Sequence, residues 1–214
     1  MLRGRFAFDA SAHEYRVGRW VVPGTSDVVR AAGRFNARYC GDEAPRRGTR
    51  VATLTWQWEM GLVEADAVEG PERGYLLGYL KAMELERIPR WCTEARGRWL
   101  ELEEPVVNRG LGLATIPDRV GRHRMLNVKT GQRYDFHRLQ RALEVMVRDP
   151  REDWWPRWDR DTLYLTPRGG ARIDRHEDPH DFADALDALA DWRRGCHDER
   201  KHGPLSWFRA QSAA

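Results

Sequence analysis

Apolar and polar residues alternate with a period of two along several short stretches, and this pattern predicts β-strands. Turn residues such as Pro23-Gly24 and Gly121 separate these stretches. Three of them follow one another closely after residue 98, which predicts three antiparallel strands, and a later pair is joined by a glycine turn. The predicted strands cover residues 6–9, 13–17, 99–107, 113–120, 125–129, 162–166 and 171–173.

Apolar residues three and four positions apart predict helices before, between and after these strands. Glycine and proline mark helix ends, as at Gly61 and Pro89. The order helix, three antiparallel strands, helix, strand pair and helix predicts an α/β sandwich on one mixed sheet. The predicted helices cover residues 26–32, 50–62, 72–87, 136–147 and 181–194, with a loop over 34–47.

The length of 214 residues is that of one substantial domain. We divide residues 1–214 into an N-terminal hairpin and loop extension (1–47), a core (48–150) and a C-terminal strand pair and helix (151–214). Charged residues make up 32%, and no apolar run approaches the roughly 18 residues that span a bilayer. Because the first residues also lack an apolar signal segment, a cytoplasmic location without membrane contact is expected.

The three cysteines, Cys40, Cys92 and Cys196, lie far apart. Their odd number and wide spacing argue against a disulfide framework, a zinc site and an iron–sulfur cluster. A reducing cytosol is the compartment that fits this cysteine usage best.

Charge is unevenly distributed, although the net charge is only +3. Residues 1–50 carry ten basic and five acidic side chains, and residues 109–151 carry ten and four, whereas the other two segments are acidic. Two basic segments in one fold can form a surface that faces phosphate groups. The alternative is a set of ordinary solvated arginines. Only three of the 36 basic residues are lysines, and this general excess of arginine makes the arginine count weak evidence for nucleic-acid binding.

The stretch 116–131 has the clearest chemical pattern. Asp118 lies late on one predicted strand, and Asn127 lies nine residues later on the next strand, followed by Lys129. Because residues i and i+2 of a strand share a face, Asn127 and Lys129 point the same way, while Val128 points into the core. A short hairpin brings Asp118 beside them, and this set of oxygens with an ammonium suits Mg²⁺ and a phosphate.

These residues resemble the PD-(D/E)XK nuclease superfamily, and more closely its phage and bacterial RecB-like, exonuclease-type members. Pro117-Asp118 is similar to the PD element, Asn127-Val128-Lys129 to the (D/E)XK element, and Thr130-Gly131 to the usual KTG continuation. The run from Arg47 to Ala52 is similar to the family's RGT-x-V-H helix start, and Gln140 to its helix glutamine. The opening FAFDASAHEYRV and the late LYLTPRGGARI also look like the phage branch, so the resemblance runs over most of the chain.

The resemblance implies a restriction-endonuclease-like sandwich, with a central mixed sheet of four to five strands flanked by helices. It also implies a DNA nuclease whose acids hold Mg²⁺ or Mn²⁺ and whose lysine steadies the attacking water and the phosphate. The catalytic positions carried over are Asp118, Asn127, Lys129 and Gln140, and the metal positions are Asp118 and Glu104. The residues expected to contact nucleic acid are Arg47, Thr49, Arg119, Thr130, Arg133 and Arg138.

Four positions depart from the family pattern. Ala52 stands where the family has a metal-binding histidine, and Asn127 stands at the second acidic ligand. Asparagine offers an oxygen without charge, alanine offers no ligand, and Mg²⁺ is usually recruited by carboxylates, so metal binding is expected to be weak. Thr115 replaces a glycine and Glu144 a tyrosine, which favours natural divergence over deliberate inactivation.

The sequence therefore predicts a nuclease-like, DNA-processing protein with little catalysis, which binds linear duplex or single-stranded DNA or a protein partner. We expect the two basic segments to meet on one rim of the Asp118 cleft. One alternative is an active magnesium-dependent exonuclease or endonuclease that uses further ligands. A second alternative is a phage interaction or inhibitor protein that does not bind DNA.

Overall fold

The computed structural model of the chain describes residues 2–33, 43–86 and 101–208. Its strands are β1 (Phe6–Asp9), β2 (Glu14–Val17), β3 (Trp20–Val22), β4 (Glu101–Leu102), β5 (Val106–Asn108), β6 (Leu113–Thr115), β7 (Arg119–Val120), β8 (Arg124–Lys129), β9 (Asp159–Leu165) and β10 (Ala171–Arg175). Its helices are α1 (Thr25–Ala31), α2 (Glu43–Glu59), α3 (Arg73–Leu85), α4 (Phe136–Arg148), α5 (His180–Gly195) and α6 (Glu199–His202). Short 3₁₀ helices cover Ala65–Ala67, Glu152–Arg157 and Leu205–Trp207.

Five strands form the central sheet in the order β10-β9-β8-β7-β4. Neighbouring strands are antiparallel except β8 and β9, which run parallel and are connected through helix α4. The order in the sheet follows the order in the chain, as short connections favour. The predicted mixed sheet and the predicted order of helices and strands around it are confirmed.

Helices cover both faces of this sheet. Successive residues of β8 point to opposite faces, so their contacts show which helices lie on each face. Met125 lies in one core with Leu143 of α4 and residues of α5. Leu126 lies in a second core with Val51 of α2 and Tyr79 of α3. Odd-numbered residues of β8 therefore face α4, and this is the face that carries Asn127 and Lys129.

The N-terminal strands pack beside the α4 face as a separate sheet in the order β1-β2-β3. A bridge between Gly24 and Ala114 ties this sheet to β6, and the Ala114 N–H donates to the Pro23 carbonyl at 3.0 Å. The predicted hairpin over 6–17 is confirmed, and β3 is an additional strand that was not predicted. The bridge holds the chain against β6 just after β3. Helix α1 begins at the next residue, and its first residues line a cavity beside β6.

Two strands were predicted too long. The stretches 99–107 and 113–120 are interrupted near Pro105 and Pro117, where proline lacks the N–H that a sheet ladder needs. The residues between them fold away as β5 and β6, which pair only with each other in a two-stranded sheet. The short segments β4 and β7 remain in the central sheet.

Helix α2 begins at Glu43, inside the predicted loop 34–47 and across the predicted boundary between 47 and 48. Residues 34–42, Cys40 and Cys92 lie outside the described residues, as do residues 99 and 100 of the predicted strand. Cys196 is a free, exposed thiol. Among the described helices, none has the length and apolarity needed to cross a membrane.

Candidate functional site

The β7–β8 hairpin brings Asp118 beside Asn127 and Lys129. Arg119 pairs with Leu126, so the residue before Arg119 lies opposite the residue after Leu126. The N–H of Val128 donates to Oδ2 of Asp118 at 2.6 Å and thereby fixes the carboxylate. The predicted convergence of Asp118 and Lys129 from neighbouring antiparallel strands is confirmed.

Helix α4 supplies a second wall, because residues three and four apart share a helix face. Gln140, Arg141 and Glu144 are all buried there. Nη2 of Arg141 donates to Oε1 of Glu144 at 2.7 Å, and Nη1 lies 2.5 Å from Oε2 as an ion pair without hydrogen-bond geometry. Nε2 of Gln140 donates to Oε1 at 3.2 Å, and Nδ2 of Asn127 lies 3.4 Å from the same oxygen.

The two walls border an open cavity of about 460 Å³, to which α4 contributes Gln140 and whose other lining residues include residues of β2 and α1. From α1, Oγ of Ser26 accepts a hydrogen bond from Nε2 of Gln140 at 3.2 Å. Thr25 and Thr115 join the two sides through their hydroxyls at 3.2 Å. The residues lining the cavity include Tyr15, Ser26, Arg30, Asp118, Asn127, Lys129 and Gln140.

Burial shifts the pKa values of the groups in this cavity in opposite directions. It raises the pKa of Glu144 to about 7, although Arg141 and Lys129 act to lower it. It lowers the pKa of Lys129, and the neighbouring Arg141 lowers it further. The pKa of Glu103 is raised to about 7, first by burial and then by the Asp118 charge.

The predicted metal ligand Glu104 is wrong. Its side chain is exposed, whereas that of Glu103 is largely buried and interacts electrostatically with Asp118. Glu103 has a φ of 49°, and this left-handed backbone breaks the alternation of side chains beyond β4. The more buried acid of this segment is therefore one residue earlier than predicted, and its carboxylate lies 3.6 Å from Nη1 of Arg119.

The cavity does not fit a divalent ion. Both oxygens of Glu144 are engaged by Arg141, and one oxygen of Asp118 is engaged by a backbone N–H. Two cations, Lys129 and Arg141, stand against these two carboxylates, so no net negative charge attracts Mg²⁺. Within the described ranges no group of three histidine, cysteine, aspartate or glutamate side chains is arranged to hold a metal.

The prediction that Arg119 contacts nucleic acid is also wrong. Arg119 is fully buried on the opposite face of the sheet, toward α2 and α3. Its guanidinium donates to the Tyr79 hydroxyl at 3.1 Å and to the Thr55 hydroxyl at 3.2 Å, and it lies 3.7 Å from Glu59. Leu126, its partner in the register, points into the same core, as strand alternation requires.

The other predicted nucleic-acid contacts lie in three different environments. Arg47 lies beside Thr130, with Nε 3.5 Å from the hydroxyl, at the end of β8 that carries Lys129. Arg138 is paired with Asp181 and Asp184 at 2.7 Å each, and Arg133 with Asp174 at 2.7 Å. Thr49 is exposed, and its hydroxyl donates to the Pro45 carbonyl within its own helix. Only Arg47 and Thr130 of this set are placed next to the catalytic positions.

Sequence reasoning missed Arg141, and it treated Glu144 only as a departure from the family pattern. Both could have been found from the spacing of α4, because His137, Arg141 and Glu144 recur at helical intervals on one buried face. The apolar residues of α4 drew attention to the neighbouring face, which packs on α5. Ser26 and Tyr15 carried no comparable signal, because their place in the cavity depends on how the N-terminal sheet docks.

No family model matches this chain, and no curated protein matches it. The chemistry of the cavity is therefore the basis for assigning a function. Lys129 offers positive charge on the cavity wall, and the Ser26 hydroxyl, which accepts from Gln140, keeps its own hydrogen for a ligand. Such a set can hold the oxygens of a phosphate group, whereas it offers few ligands to a metal.

Proposed function

We propose that the chain is a PD-(D/E)XK nuclease-like protein that binds the phosphate backbone of DNA in this cavity and hydrolyses it little. The observation that carries the proposal is the convergence of Asp118, Asn127, Lys129 and Gln140 in one cavity. The five-stranded mixed sheet with helices on both faces supports the same fold. The function proposed is DNA processing by binding, with a protein partner as an additional ligand.

Phosphate recognition follows from the charges at the cavity and its rim. Lys129 places an ammonium among the catalytic positions, and Arg30, whose guanidinium lies 3.5 Å from the exposed Asp27 carboxylate, lines the same cavity from α1. Arg47 extends this positive charge along the end of β8 through its contact with Thr130. A strand of DNA that crosses the rim would meet positive charge from both basic segments of the sequence.

Hydrolysis is limited by the lack of negative charge for recruiting a metal. In this chain's own residues, Lys129 can hold charge on a phosphate oxygen, and Gln140 can position the Ser26 hydroxyl that donates to that oxygen. Asn127 contributes a neutral oxygen where the family has an acid, and Glu144 is neutralised by Arg141. Loss of one well-placed electrostatic group typically costs about 3–4 kcal/mol of barrier, so slow or undetectable cutting is expected.

The test measures DNA binding and cleavage with matched lysine variants. Labelled linear duplex and single-stranded DNA are titrated with the wild type, with Lys129→Ala and with Lys81→Ala. Lys81 is an exposed residue of α3, on the other side of the sheet, and is the control. Lys129→Ala should weaken binding about tenfold or more, because a hydrogen bond to a charged group is lost, and Lys81→Ala should change it little.

Three outcomes of this test contradict the proposal. Absence of DNA binding at low salt would leave the interaction-protein alternative. Robust cleavage in Mg²⁺ that Asp118→Ala abolishes would show that the site recruits a metal after all. Cleavage that survives Asp118→Ala would indicate that the chemistry lies elsewhere or in a contaminant.

One observation favours the active nuclease as a second candidate. The Glu144 carboxylate lies 3.4 Å from the Asn127 amide, so a helix residue supplies the acid that the strand lacks. If Arg141 released this carboxylate when DNA bound, Asp118 and Glu144 would together offer two acids. This candidate requires that Asp118→Asn and Glu144→Gln each abolish Mg²⁺-dependent cleavage, whereas Glu84→Gln on the exposed face of α3 does not.

A further inference from the structure

A buried cation, the Arg141 guanidinium, lies behind the cavity wall that Asn127 and Gln140 form, and it is 0% exposed. It forms a two-armed pair with Glu144 and also interacts electrostatically with Asp118 and Lys129. Two acids, Asp118 and Glu144, and two basic side chains, Lys129 and Arg141, thus face one another in one small volume. A buried charge is tolerated only when it is compensated, so each member depends on the others.

A second, independent observation indicates that the cavity has unused capacity for a ligand. Asn127 is 2% exposed, and its Oδ1 has no hydrogen-bond partner among the described residues. Its amide nitrogen points toward Glu144, so the unpartnered oxygen belongs to the same cluster as the two acids. An unpartnered buried oxygen beside carboxylates is the kind of donor that a divalent ion takes.

We propose, for the site inferred above to bind DNA phosphate, that Arg141 takes the electrostatic place of a divalent metal and that its removal converts the cavity into a metal site. With the guanidinium gone, both oxygens of Glu144 are released next to Asn127 Oδ1 and Asp118. The local charge becomes one unit more negative, which favours a divalent cation. The cavity therefore differs from a metal site by one basic side chain of α4, in addition to its neutral strand position.

The inference explains why the acid at 144 does not restore metal binding. Glu144 is close enough to Asn127 to complete an acidic pair with Asp118, yet both its oxygens are committed to Arg141. Lys129 alone would leave the two acids in excess. Arg141 restores neutrality without an ion, and the phosphate-binding lysine is retained.

The test measures Mn²⁺ binding by the loss of the free-ion signal in electron paramagnetic resonance, with the full-length chain and no DNA. Arg141→Gln should bind Mn²⁺ about tenfold or more tightly than the wild type, because one repelling charge is removed and one acid is released. The double variant with Glu144→Gln should return to the wild-type affinity. Arg151→Gln is the matched control, since it breaks an arginine–carboxylate pair with Asp149 at the end of α4, away from the cavity.

Cooperative thermal unfolding of Arg141→Gln shows that the variant is folded. If the folded variant binds Mn²⁺ within about twofold of the wild-type affinity, the inference is overturned. If that variant does not fold, Glu144→Gln in the wild-type background decides. The inference expects Mn²⁺ affinity to be unchanged, whereas a loss of about tenfold or more would show that Glu144 already binds the ion and would overturn it. DNA binding, measured separately without metal, reports on the proposed function alone, so the two failures are distinguishable.

Discussion

At the scale of single residues, burial shifts the pKa values of two glutamates and two histidines in opposite directions. Burial raises the pKa of Glu144 and of Glu103 to about 7. Burial lowers the pKa of His137 to about 3, with help from Lys129, and that of His176 to about 4. Burial therefore opposes the charged form of all four side chains, and at Glu144 the nearby Arg141 and Lys129 act against this effect.

These shifts have opposite effects on stability. A carboxyl whose folded pKa is raised binds a proton in the folded state between pH values of about 4.5 and 7, so it adds stability as the pH falls through that range. A histidine whose folded pKa is lowered binds its proton only in the unfolded state below a pH of about 6.5, so it removes stability as the pH falls. With two groups of each kind, the free energy of unfolding should change little between pH values of about 7.5 and 5.5.

Replacing Glu144 unbalances these contributions. Glu144→Gln removes one proton-binding group of the folded state, so its free energy of unfolding should fall on acidification from a pH of about 7.5 to 5.5 by about 1–2 kcal/mol more than that of the wild type. Urea unfolding at several pH values measures this difference. Glu84→Gln, on the exposed face of α3, is the control and should follow the wild type. Parallel pH curves for Glu144→Gln and the wild type would contradict the prediction.

Strand alternation allowed part of the site to be predicted residue by residue. Asn127 and Lys129 share a face with Asp118 because β8 and the end of β7 are extended. The same rule does not predict that Glu103 is the more buried acid. A positive φ interrupts the extended backbone at this residue, and no feature of the sequence indicates it. The burial of Arg119 was not predicted for a different reason. Arginine is rarely buried, and the partners of Arg119, Tyr79 and Glu59, come from distant parts of the chain.

At the scale of elements, periodicity was sufficient to predict helices α1 to α5 and the core strands, because each buries one continuous face, whereas the four-residue helix α6 was not predicted. The ends and interruptions were less accessible, as the β5–β6 hairpin shows. Whether a proline breaks a strand or lies at its edge depends on which strand lies beside it. The docking of β1–β3 beside the cavity rests on the bridge between Gly24 and Ala114, which no local pattern reveals.

Helix α3 lies directly against the turn between β9 and β10, and this contact requires a glycine. A Cβ added at Gly74 would lie 1.8 Å from the Pro167 carbonyl oxygen, a backbone atom that cannot turn away. Gly74→Ala should therefore lower the free energy of unfolding by about 1–3 kcal/mol, because α3 must shift from the sheet. Thermal and urea unfolding of the purified variant measure the loss.

Helix α2 provides the control for that substitution. A Cβ at Gly48 would come no closer than 4.0 Å, to the Thr130 hydroxyl. Gly48→Ala should then stabilise the protein by up to about 1 kcal/mol, since alanine favours helix over glycine. Equal effects at Gly74 and Gly48 would show that the packing of α3 on the turn is looser than the structure has it.

At the scale of the whole molecule, the two basic segments meet beside the cavity, and part of their charge is used inside the protein. Arg47 of the first segment contacts Thr130 of the second beside the cavity. Other arginines of the second segment are used inside the protein, since Arg119 and Arg141 are buried and Arg138 is paired with acids of α5. Bulk charge counted along the sequence therefore overestimates the cations available to DNA.

This distribution sets the expected salt dependence of DNA binding. Each duplex phosphate neutralised contributes about −0.9 to the slope of log affinity against log salt. With Lys129, Arg30 and Arg47 at the cavity and its rim, the slope should be about −2 to −3, well short of the steep dependence of proteins that cover many phosphates. Anisotropy titrations of a labelled duplex at several salt concentrations measure it.

Two arginine variants distinguish this arrangement from a diffuse basic surface. Arg47→Ala should reduce the magnitude of the slope by about one, because one phosphate contact is lost. Arg138→Ala should leave the slope unchanged, because its guanidinium is held by Asp181 and Asp184, and should instead lower the stability of the α4–α5 contact. Without the Arg138 guanidinium, the buried Asp181 keeps its ion pair with Arg160 at 2.9 Å. A wild-type slope of about −6 or steeper, or equal slope changes in the two variants, would show that DNA meets the arginines of the whole surface and that the cavity is not the centre of binding.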